Sequence, residues 1–237
     1  MFDRGPFSIS APALVLLLSA YLGGQLLFGG VLFIGGATFG LFLFHIAAVM
    51  ALAGTAAYLV RVNGLSLRAL GLCGAQGRWY FIACLGVIAA LLLTNLIGAS
   101  LSLEGREALQ GHNQDLLGLQ TRGAIAISFV TLCLLVPVLE EALFRGAIFG
   151  YLHERLGVSL ALWGSSILFA ATHLSVLLIM PGAFDQLVIA LALGQVGFWA
   201  ALLRHFSGSL LPAIVFHGGY NSLVLLMQIA FTLVEAS

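Results

Sequence analysis

The sequence contains no lysine, and only 8% of its 237 residues are charged. Soluble domains average about 25% charged residues, so this chain cannot cover itself with a water-facing surface. The nine arginines are balanced by nine acids, which leaves no basic footprint for nucleic acid and no polybasic tail for anionic lipid. Cysteine is scarce as well. Cys73, Cys84 and Cys133 stand far apart with no CxxC pair, which argues against a disulfide framework or a thiolate metal site. There is no HExxH helix and no GxSxG elbow, so neither of those catalytic motifs is available.

What is present in abundance is apolar sequence: 61% of the residues are hydrophobic. Runs long enough to cross a bilayer core, which takes roughly 20 residues, fall at 11–34, 38–60, 79–101, 122–154, 157–180, 185–205 and 209–233. The expected fold is therefore all-α, a polytopic transmembrane helical bundle of about seven spans, because a backbone in lipid must satisfy its own hydrogen bonds. The whole chain, 1–237, reads as one membrane domain. The N-terminal run is too long for a signal peptide and is expected to stay as the first span. With the N-terminus cytoplasmic, Arg4, Arg61, Arg68, Arg78, Arg155 and Arg204 fall inside, while Glu104, Glu107, Asp115, Asp185 and Glu235 fall outside with only Arg106 and Arg122 as basic residues, an asymmetry that follows the positive-inside rule. The polar stretch 102–121 is expected to be a loop or interfacial helix, and the glycines crowding the first two spans suit close helix packing.

An ionisable group in mid-span costs roughly 2.5 to 3.5 kcal/mol on insertion scales and is a functional candidate by default. Six such groups occur: His45, Glu140, Glu141, Arg145, His173 and His217. His45 stands alone and reads as a packing residue, and His112, His153 and His205 lie at expected interfaces. Glu140 and Glu141 are adjacent and so turned by about 100 degrees from each other, whereas Glu141 and Arg145 are at i,i+4 and can pair. That leaves Glu140 to face another helix as a candidate general base, unless all three form a packing network. If the next two spans turn between 154 and 159, residues whose numbers sum to about 313 lie at equal depth, and Glu140 and His173 do. Such a pair can share a water. His217 and Asn221, at i,i+4 on the last span, share one helix face, and both can donate to a developing oxyanion or hold two helices together.

Three motifs thus run in order: EExxxR at Glu140–Arg145, FxxxH at Phe169–His173, and HxxxN at His217–Asn221. Together they resemble the CPBP family of intramembrane proteases, which includes type II CAAX prenyl endopeptidases and bacteriocin-processing or self-immunity proteins. The resemblance covers roughly 120–230, which would be the catalytic core. It implies that Glu140 and His173 activate the attacking water, that His217 and Asn221 stabilise the oxyanion, and that Glu141 and Arg145 fill supporting positions. The expected activity is endopeptidase cleavage of membrane-anchored or lipidated peptides, prenylated CAAX-type substrates among them, at the bacterial or archaeal cytoplasmic membrane.

No cofactor is required in this reading. A zinc ion on Glu140, His173 and His217 is the alternative, since two imidazoles and a carboxylate form a known catalytic set. Two other classes compete: a noncatalytic scaffold or bacteriocin self-immunity factor, and a proton-coupled transporter. The transporter would carry inverted repeats, and the sequence shows none.

Overall fold

The computed structural model describes residues 11–19, 21, 23, 50, 53, 54, 57, 58, 61, 68, 70–117 and 122–235, and among these every regular element is helical. The first two expected spans lie mostly outside the described residues. Residues 11–19 are helical. From there the order is α1 (Gly77–Gly98), α2 (Leu103–Leu117), α3 (Arg122–Ser128), α4 (Val136–Glu141), α5 (Phe149–Ala171), α6 (Leu174–Ile179), α7 (Ala183–Ser207) and α8 (Leu211–Glu235). Two π-helical stretches, Phe129–Leu135 and Ala142–Ile148, flank α4, so 122–171 runs on without a loop.

Among the described residues, four helices are long and apolar enough to cross a membrane: Gly77–Gly98, Ile125–Ala171, Ala183–Ser207 and Leu211–Thr232. Helix α1 shows how sequence makes such a span. Phe81, Leu85, Ile88, Leu92 and Leu96 are exposed along one face, whereas Ala83, Val87 and Ala90 are buried on the other. The large side chains face where lipid would lie, and the small ones let neighbouring backbones approach. The buried face packs against α7 and α8 around Val196, Ala200, Ala213 and Phe216.

A straight helix of 47 residues would be about 70 Å long, more than twice a bilayer core. Gly157 breaks it with φ 85 and ψ 172, a conformation that side-chain-bearing residues rarely adopt. The chain doubles back there. Phe144 meets Phe169 with ring centroids 5.3 Å apart, Phe149 clusters with Ala161, and a Cβ on Gly164 would meet Leu152. The hairpin expected from the sequence exists, with its turn inside the expected 154–159.

Its second arm is shorter than the expected span 157–180. Helix α5 ends at Ala171, and His173 has a non-helical backbone (φ −84, ψ 49) before the short α6. Thr172 Oγ1 and His173 Nδ1 both bond to the Phe169 carbonyl, and side chains that take the last carbonyls of a helix compete with its continuation. Beyond α6, Met180 is extended before Pro181, as a residue preceding proline prefers. The expected interfacial segment is α2, which packs with α6 and α7 through Leu101, Leu109, Leu177, Met180 and Val188.

Candidate active site

The acidic motif sits between the two π-helical stretches, and the sequence explains the first of them. Pro137 has no N–H to donate to the Cys133 carbonyl four residues back, and its ring crowds that carbonyl. The turn widens, so that the Val136 N–H reaches Thr131 O, five residues back. Carbonyls freed in this way need other partners, and α8 answers them. Asn221 donates from Nδ2 to Leu132 O at 2.8 Å, while Gly218 lies so close to Cys133 O that a Cβ would stand 2.6 Å from it. Only glycine fits there. The last span is thereby seated against the acidic segment.

That seating brings His217 onto the two carboxylates. Its Nδ1 lies 2.9 Å from Glu141 Oε1, and its Nε2 lies 3.8 Å from Glu140 Oε2. Glu141 Oε1 also accepts from Arg145 NH1 at 3.0 Å, and Arg145 NH2 donates to Gly197 O at 2.8 Å. Glu141 and Arg145 are wholly buried. Removing either would strand the other's charge, which is why such a pair holds its geometry. The guanidinium lies 4.7 Å from the centroid of the Phe169 ring, and the lack of a side chain at Gly197 gives it room: a Cβ there would stand 3.2 Å from Arg145 NH2. Glu141 therefore links the acidic segment to α8, besides pairing within its own turn.

His173 approaches from the end of α5. Its ring lies 4.7 Å from that of Phe169, and the ring of His217 lies 5.6 Å from the same phenyl. The two imidazoles thus share one aromatic neighbour. Among the described residues no ion pair joins His173 to Glu140. With Nδ1 of His173 engaged on the Phe169 carbonyl, Nε2 is the nitrogen left for chemistry.

The predicted residues fall into two sets. Glu140, Glu141, Arg145 and His217 are in mutual contact and buried, whereas His173 and Asn221 are half-buried at its edges. Asn221, expected beside His217 at the oxyanion, has one amide N–H committed to Leu132 O. Tyr21 is a residue that sequence spacing did not select: its hydroxyl donates to Glu140 Oε1. The signal available was a phenol deep in an apolar span, since a buried tyrosine hydroxyl normally needs a polar partner.

Among the described residues no group of three or more His, Cys, Asp or Glu side chains stands close enough to hold a metal ion. No chemical step is therefore routed through zinc.

Comparison with known proteins bears on the same segment. The family model for type II CAAX prenyl endopeptidase, Rce1-like, matches residues 122–223. No curated protein and no solved structure matches the chain. The matched residues hold α3 through α7 and most of α8, with Glu140, His173, His217 and Asn221 all inside them. Over residues 122–223, which hold all three motifs, the chain is similar to the Rce1-like type II CAAX prenyl endopeptidases, the resemblance that Glu140–Arg145, Phe169–His173 and His217–Asn221 carry.

Proposed function

We propose that this protein is an intramembrane endopeptidase that hydrolyses membrane-anchored peptides, prenylated CAAX-type peptides among them, by a glutamate-activated water. The observation that carries the reading is the buried Glu140–His217–Glu141 cluster inside a segment that matches a peptidase family. Glu140 Oε2 takes a proton from water while the water oxygen bonds to the substrate carbonyl carbon. His173 Nε2 holds that water in line. His217 Nε2, with the second N–H of Asn221, faces the oxygen that becomes negative, and Glu141 at Nδ1 balances the positive ring that such a donor requires. When the C–N bond breaks, the proton on Glu140 passes to the amine, leaving a carboxylate and a free amine.

Burial of the site supports a substrate that arrives in the membrane plane. The reading follows the family for the activity and the geometry for the division of labour. A second reading is favoured by one observation: Arg145 and Asn221 both end on backbone carbonyls of other segments, as a packing network would. In that reading the protein is a noncatalytic scaffold or self-immunity factor.

The deciding test is cleavage of membrane-anchored reporter peptides, prenylated CAAX peptides included, by detergent-purified protein. Wild type, Glu140→Ala and His173→Ala are compared with and without a zinc chelator. Cleavage that disappears in both variants and survives chelation supports the glutamate mechanism, and loss on chelation moves the chemistry to a metal. Variants that cut as well as wild type overturn the assignment.

A further inference from the structure

We infer that Tyr21, in the N-terminal part of the chain and outside the family-matched residues 122–223, is a positioning residue of this site. Its hydroxyl holds Oε1 of Glu140 and so presents Oε2 to the water. The inference rests on the peptidase reading and extends it to a segment with no family match.

Tyr21 is buried in one core with Ala13, Leu17, Leu70, Phe144 and Phe169. Its ring meets Phe144 edge-on at 5.8 Å, and Phe144 in turn meets Phe169 at 5.3 Å, the phenyl that both site histidines touch. The phenol is therefore fixed by the same aromatic series that bounds the site. Its contact with Glu140 joins residues 119 apart in sequence, so it forms only when the N-terminal part is docked on the hairpin.

A glutamate's terminal torsion is broad and roughly two-fold, which lets either oxygen point at a reacting group. A donor on one oxygen removes that freedom. With Oε1 held by Tyr21, Oε2 is the oxygen beside His217 Nε2, the side on which the proposed mechanism places the water. The phenol does not touch substrate in this scheme; it acts through Glu140.

The test uses the full chain with Tyr21→Phe, which removes the hydroxyl and keeps the ring on Phe144. Two readouts are taken: kcat and KM on the reporter peptides, and the Glu140 carboxylate stretch by isotope-edited infrared spectroscopy, assigned with Glu140→Gln. Expected are a fall in kcat of about tenfold or more with KM changed less than about twofold, as when a hydrogen bond to a charged group is lost, and a displaced carboxylate band. An unchanged kcat, or a band that does not move, overturns the proposal. If wild type cuts no reporter, the peptidase reading fails on its own account, while the band still decides whether Tyr21 holds Glu140.

Discussion

Glu140 and Asp185 are buried to nearly the same extent, 6% and 4% exposed, yet the protein treats the two carboxylates differently. Both oxygens of Asp185 are taken by one residue: Ser102 N at 2.9 Å and Ser102 Oγ at 2.7 Å. Ser102 caps α2 as well, accepting from the Gly105 N–H at 2.9 Å, so Asp185 pins the start of α7 to the start of α2. The partners of Glu140 are a phenol and an imidazole, and the imidazole is too distant, at 3.8 Å, for a direct hydrogen bond. A carboxylate saturated by fixed donors is an anchor. One that keeps an oxygen turned toward an imidazole nitrogen beyond hydrogen-bonding distance is placed to move a proton.

The comparison breaks most readily at Glu140. Glu140→Gln is expected to lower reporter cleavage by about 10² to 10⁴-fold, the usual weight of a general base, with the folded protein retained in thermal scans. Next in size is Arg145→Met, which leaves Glu141 charged and buried without its partner; unfolding in detergent should become easier by about 3 to 5 kcal/mol. Gly218→Val should cost about 1 to 3 kcal/mol through overpacking against the Cys133 carbonyl, and it should reduce cleavage too because His217 rides on the displaced helix. Asp185→Asn is expected to have the smallest effect. It loses about 1 kcal/mol of stability with kcat unchanged. A large fall in kcat there, with stability intact, would erase the distinction between the two acids.

Depth and face were legible in the sequence because they follow from helical rise and rotation along single elements. The pairing of Glu141 with Arg145 at i,i+4 and the hairpin turn at Gly157, inside 154–159, are of this kind. How helices far apart in sequence rotate against each other was not legible. That rotation decides that His217 Nδ1 meets Glu141 while Nε2 looks at Glu140, and that Tyr21 reaches the site at all. The π-helical stretches were missed for a related reason. Pro137 announces a disturbance, but whether the chain kinks or widens depends on the partner that receives the freed carbonyl, here Gly218 and Asn221 of α8. His173 left its expected span because Thr172 and its own ring cap the helix end.

The seat of α8 on the widened turn ties the aim of His217 to the spacing of residues along that helix. Gly218 is fixed against Cys133 O and Asn221 against Leu132 O, and His217 is correctly aimed only while both contacts hold. One residue inserted between His217 and Gly218 would turn the imidazole by about 100 degrees relative to that seat, carrying it away from both carboxylates. The lipid-facing side chains of this helix are free of that constraint, but an insertion or deletion next to His217 would take the imidazole off both carboxylates with every motif residue still present.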